Sequence, residues 1–175
     1  HRSLGPEFIM LKFLFIFIAC LMVLFTIELL NPVQAAVIQP FTAVLAWVAA
    51  SVVLPFDDTV ISSGRVLRDS VSGFAVSIEA GCNGVEASIV LIAGVLAFPA
   101  NWRQRTAAIT LGFLAIQLLN ILRIVSLFYL GQWNFDIFEW THLYLWPVLI
   151  MLDVLLVFAL YLRWLSRSDP SPEHA

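Results

Sequence analysis

The chain has 175 residues, a net charge of −3, a mean hydropathy of +0.95, and 61% hydrophobic residues against 12% charged ones. That composition excludes an ordinary soluble domain and describes an integral membrane protein, with lipid as its surroundings. The acidic balance, without a basic stripe interleaved with aromatics, excludes nucleic acid as a partner.

His1 to Ile9, with Gly-Pro-Glu-Phe inside it, reads as a cloning scar ahead of a native start at Met10 and is set outside the fold. Residues 10–165 then form one membrane-embedded domain, and residues 166–175 a polar cytoplasmic tail. Met10 to Leu30 is close to a full span, and Glu28 to Pro32 offers no small-residue cleavage pattern, so it reads as a retained anchor. Val33 to Leu54 is also long enough to span, with Ala35, Ala43, Ala46 and Ala50 suited to close helix packing. Pro55 to Ala80 is the one long polar segment, and Val60-Ile61 and Phe74 to Ile78 read as two short strands of a hairpin. Cys82 to Phe98, Thr106 to Leu130 and His142 to Leu162 are the remaining spans. They are separated by a basic loop at Trp102 to Arg105 and a polar, aromatic loop at Gly131 to Thr141. The expected fold is an all-α membrane bundle of four to five helices carrying a short hairpin-like loop outside.

Arg103, Arg105, Arg163 and Arg167 share one side, which the positive-inside rule makes cytoplasmic, and the Pro55 to Ala80 loop lies opposite. Lys12 also belongs in the cytoplasm, yet five full crossings would put it outside. One segment therefore does not cross, and Val33 to Leu54 is the choice, lying in or re-entering the outer leaflet; five spans with an external N-terminus is the alternative.

The residues with chemistry converge on the outer face. Cys82 stands between Gly81 and Gly84 at the expected start of a helix, where the macrodipole favours thiolate. Cys20 lies mid-span, so the difference in depth argues against a disulfide between the two. Arg123 is the one basic residue deep in a span, a placement that costs roughly 2.5 to 3.5 kcal/mol unless compensated. Asn120 is on the same helix face, and Glu86, four residues after Cys82, can turn toward Arg123. A plain Glu86 to Arg123 ion pair tying two helices is the ordinary explanation. His142 is the one histidine outside the terminal segments and falls at the outer start of the last span. Thiol, imidazole and guanidinium together supply nucleophile, proton shuttle and charge stabiliser for acyl transfer. One histidine and one surface thiol are too few for a metal site, and no phosphate-binding loop, zinc motif or serine elbow is present. Neither metal nor cofactor is expected. Asp153 stands isolated in the last span, the feature a transporter reading would use.

Glu-Ala-Gly-Cys82-Asn83-Gly-Val-Glu86, then Asn120-Ile-Leu-Arg123-Ile, then His142 at the last helix resembles the exosortase and archaeosortase family. The Cys-Asn-Gly-Val-Glu form and the short length look most like its exosortase H group. The resemblance covers nearly all of Met10 to Leu162. It implies a membrane cysteine transpeptidase at the outer face of a bacterial inner membrane. Its partners would be secreted proteins with a C-terminal signal: a short motif, for the H group of the Ile-Pro-Thr-Leu type, then a hydrophobic helix and a basic tail. By position Cys82, Arg123 and His142 take the places of the family's cysteine, arginine and histidine, with Asn83, Glu86 and Asn120 in support. Cys82 would form a thioester and an acceptor amine would release the product. Release by water makes it a processing peptidase instead. From a different class, a transporter or scaffold subunit would use Arg123, Glu86 and Asp153 as a charge network.

Overall fold

The computed structural model describes residues 5–168. Five helices are present there: α1 (Pro6–Leu29), α2 (Asn31–Val53), α3 (Val85–Ala97), α4 (Trp102–Trp133) and α5 (Phe135–Ser168). A three-stranded antiparallel sheet, β1 (Val60–Ser63), β2 (Val66–Asp69) and β3 (Ala75–Ser77), lies between α2 and α3 in chain order. Four of the helices are long and apolar enough to cross a membrane, and the fold is the helical membrane bundle that the composition implies.

The exception in length is α3, whose 13 residues rise only about 20 Å. It is nonetheless the helix around which α1, α4 and α5 pack, with Leu91, Ala93, Val95 and Ala97 buried. Small residues permit the close approach: Gly112 of α4 faces Leu91 and Val157, and Gly94 of α3 faces Phe158. Any side chain at Gly112 would collide with Leu91, so these contacts fix helix spacing where no hydrophobic force separates protein from lipid.

The packing fixes the relative sense of the first helices. Phe13 of α1 packs on Phe98 and Phe158, whereas Glu28, at the other end of α1, lies within electrostatic reach of Glu86. Thus α1 runs antiparallel to α3, from the end that carries Lys12, Arg105 and Arg163 toward the end that carries the sheet. The second half of α2 runs the same way, since Phe41 packs on Phe113 low on α4 while Val53 meets Val125 and Tyr129 nearer its far end. Two successive helices with one sense leave Lys12 and the sheet at opposite ends. The segment at residues 33–54 accordingly adds no reversal of direction.

Prolines shape two of the long helices. A π-turn at Gln34–Ile38 precedes Pro40, and another at Thr141–Leu145 precedes Pro147. Proline lacks the N–H for an i−4 bond and its ring crowds that carbonyl, and widening the preceding turn accommodates both effects.

Several boundaries differ from those read in the sequence. The hairpin is a three-stranded sheet, because Val66–Asp69 pairs with both neighbours; its Arg68 and Asp69 had the look of loop. The loop expected at Gly131 to Thr141 shrinks to Asn134, whose side chain accepts from the N–H groups of Asp136 and Ile137 and starts α5 at once. His142 therefore lies inside the π-turn of α5 rather than at a helix start. At the opposite end α4 begins at Trp102, not Thr106, behind a capping box of Asn101 and Gln104. Helical structure already begins at Pro6, within the stretch set aside as a scar, and of the expected tail residues 169–175 lie outside the described residues.

Candidate active site

Three elements meet at one sulfur. His142 Nε2 of α5 lies 3.4 Å from Cys82 Sγ, and Arg123 Nη2 of α4 donates to the same sulfur at 3.5 Å. Arg123 Nη1 also donates to the Gly81 carbonyl at 3.4 Å, so one guanidinium spans the cysteine and the peptide before it.

Local backbone chemistry presents the thiol. Gly81 and Gly84 have φ of +86° and +73°, the left-handed region that a side chain disfavours. A Cβ on Gly84 would also strike the Gln117 side chain. Between the glycines, the Cys82 N–H donates to the Glu79 carbonyl and closes a turn. Cys82 thus lies in a loop, three residues ahead of the first residue of α3, and not on the first turn of the helix as the sequence suggests.

That displacement changes the electrostatics. Burial pushes the Cys82 thiol up from its ordinary range, Arg123 pulls it down, and Glu86 and Glu79 push it up again, with a net rise. The helix dipole acts mainly within a turn of its terminus. A rise of this kind favours the thiol form, for which a neighbouring base is the complement. Nε2 of His142 can be that base in the tautomer with its proton on Nδ1. Phe138, one turn earlier on α5, stacks flat on the imidazole at 5.8 Å and 3° and fixes the plane of the ring.

Arg123 is buried, yet Glu86 is exposed and makes no ion pair with it; among the described residues the ion pair is Arg65 with Glu79. The helix-tying explanation for Arg123 therefore fails. The polar residues beneath the thiol instead form a network of amides. Asn83 donates to Thr42 and accepts from the Val85 N–H, and Gln117 donates to the Asn83 carbonyl. Asn120, fully buried, donates to Gln117 at 3.5 Å. Asn83 and Asn120 support the loop and the helix rather than touching the sulfur. Gln117, Thr42 and Phe138 were not singled out from the sequence. Gln117 had a readable signal, being polar in an apolar run three residues before Asn120 and six before Arg123. Thr42 and Phe138 had none.

A cavity of about 340 Å³ opens over this group, lined by Cys82, Arg123, His142, Phe135, Phe138 and the whole of β3. Among the described residues no group of three or more His, Cys, Asp or Glu is placed to hold a metal ion. Both cysteines are free thiols.

The class defined so far is a helical membrane bundle that brings a thiol, an imidazole and a guanidinium together at one cavity. The sequence matches the transmembrane exosortase family (Exosortase_EpsH) over residues 3–160, and the chain belongs to that family. No curated protein and no solved structure matches it. Membership implies a cysteine-dependent membrane sorting transpeptidase or protease that acts on secreted proteins with C-terminal signals.

Proposed function

We propose that Cys82, His142 and Arg123 catalyse cleavage of a C-terminal sorting signal through a thioester, most like the exosortase H group. The observation that supports this is the pair of contacts at one sulfur, imidazole at 3.4 Å and guanidinium at 3.5 Å, beside an open cavity. His142 Nε2 takes the thiol proton as Sγ attacks the scissile carbonyl carbon. The new C–S bond gives a tetrahedral oxyanion, to which the Arg123 guanidinium turns its donors. Collapse breaks the C–N bond, and the imidazolium returns the proton to the leaving amine. The secreted part of the substrate is then held as a thioester on Cys82, and its hydrophobic helix and basic tail depart. An acceptor amine, deprotonated by His142, attacks the thioester and releases the thiol. No cofactor takes part.

The reading places the protein in a bacterial inner membrane with the cavity on the periplasmic side, because Lys12, Arg103, Arg105, Arg163 and Arg167 all lie toward the opposite end. A membrane-impermeant thiol reagent should label a cysteine introduced at Ser62 in intact cells, and labelling only after lysis would invert the orientation.

The test is co-expression with a protein bearing an Ile-Pro-Thr-Leu type motif, an apolar helix and a basic tail. Mass spectrometry of its new C-terminus should show the truncated chain plus an acceptor. Truncation with only water added makes the enzyme a hydrolytic peptidase. An intact tail in every such substrate would refute the proposal and favour a scaffold or transporter subunit.

A further inference from the structure

The sheet ends at β3, and β3 walls the cavity that holds Cys82. Its register decides which backbone groups face that cavity. The Asp69 N–H donates to the Phe74 carbonyl and the Ile78 N–H to the Arg65 carbonyl, and Val76 stands opposite Leu67 between them. Residues 74, 76 and 78 therefore spend their backbone groups on β2, since alternate residues of an antiparallel ladder bond to one neighbour. The N–H and C=O groups of Ala75 and Ser77, and the N–H of Glu79, point to the other side, with no backbone partner among the described residues.

Natural edge strands are blunted by lysine, proline, bulges or cover. None of these protects Ala75-Val76-Ser77, whose free side opens instead onto the cavity. The strand also has a direction. Phe74 at its start packs on Phe128 and crowds Gly131, near the far end of α4, while the chain after it descends to Cys82 beside Arg123. It runs from the outer end of the bundle toward the thiol. A secreted protein tethered by a C-terminal helix approaches in the same sense, from outside into the membrane.

We infer that the sorting signal binds as an added strand, parallel to β3, along the free edge formed by Ala75, Ser77 and Glu79, which delivers its scissile carbonyl to Cys82. This rests on the proposed function and specifies how that site recognises its substrate. In a parallel ladder one peptide residue donates to the Ala75 carbonyl and accepts from the Ser77 N–H, and the residue two further on donates to the Ser77 carbonyl and accepts from the Glu79 N–H. Recognition is thus largely by main chain, with alternate side chains directed to the two faces of the extended sheet.

The experiment uses the full chain in detergent and a synthetic peptide with an Ile-Pro-Thr-Leu motif, an apolar helix and a basic tail. Proline has no N–H, so it takes a position that faces away from β3, and its neighbours Ile and Thr become the pairing residues. N-methylation of the Thr amide should lower kcat/KM about 5- to 10-fold through KM, and that of Ile likewise, while N-methylation of Leu should change it by less than about twofold. Ser77→Pro removes one edge donor and should raise KM for the unmodified peptide, while alkylation of Cys82 by a small thiol reagent keeps its native rate. Processing of the unmodified peptide with equal losses at Thr and Leu, or with none at either, overturns strand addition and leaves the proposed chemistry standing. Failure of the native chain to process the unmodified peptide overturns that chemistry and strand addition with it.

Discussion

Two arginines of one helix have different partners at the two ends of the bundle. Arg105, near the start of α4, donates to the carbonyls of Leu96 and Phe98 at 3.5 and 3.2 Å and lies over the Trp102 ring at 5.0 Å. Those carbonyls are at the C-terminal end of α3, where helix carbonyls lack partners and the dipole is negative, so this guanidinium closes a helix end. Arg123, 18 residues further on, donates instead to a loop carbonyl and to the Cys82 sulfur, while the Nε of both arginines is without a partner. The first arginine completes structure that already exists. The second has its donors on a thiol at the wall of a cavity, the position from which a guanidinium could meet a charge that appears only during reaction.

The same contrast separates the cysteines and predicts the largest effect. Cys20 is on α1 with no polar partner among the described hydrogen bonds, whereas Cys82 has two. Cys82→Ala should abolish processing with membrane insertion retained, and Cys20→Ala should be silent, both read by the mass of a co-expressed substrate. Processing by Cys82→Ala would end the cysteine-enzyme reading.

Next in size is Arg123→Lys. If geometry rather than charge matters, a point charge on a flexible stem replaces the planar fork badly, and the rate of processing should fall about 10²- to 10³-fold. The matched experiment is Arg105→Gln, which should lower thermal stability by about 1 kcal/mol and leave processing per folded molecule unchanged. Equal damage to activity from both would erase the distinction between the two ends. Because Glu86 makes no ion pair with Arg123, Glu86→Gln should not rescue Arg123→Gln; rescue would restore the helix-tying explanation.

How much of this was legible in the sequence follows from what each feature depends on. The helices announce themselves by apolar length, and Cys82, Arg123 and His142 stand out because polar chemistry is rare in so apolar a chain. Their meeting was approachable from topology alone, which puts all three at one end. The common sense of α1 and α2 was not, since it follows from Phe13, Phe41 and their partners and not from any local pattern. Strand β2 was missed because Val-Leu-Arg-Asp pairs through backbone on both sides, and pairing rather than propensity makes it a strand. The surroundings of the thiol differ from those read in the sequence for a related reason. A glycine turn places Cys82 ahead of the helix, where burial and two carboxylates push the thiol up, and only the backbone path reveals that.

The smallest effect tests the state of the thiol. Burial and the carboxylates of Glu86 and Glu79 push the Cys82 thiol up from its ordinary range, against the pull of Arg123. Its rate of alkylation should therefore climb with pH through and beyond the ordinary range of a thiol, without the plateau near neutrality that a low-pKa thiolate would show. Removing a nearby negative charge stabilises the thiolate, so Glu86→Gln should speed alkylation at fixed pH, whereas Arg123→Gln should slow it. Glu86 is exposed to solvent, which limits its influence to about twofold in rate, and added salt should shrink that difference further. Rapid alkylation of the native protein below pH 7 would show that the cysteine rests as a thiolate. In that case Arg123 dominates burial, and His142 serves only to protonate the leaving group, with no proton to remove from sulfur.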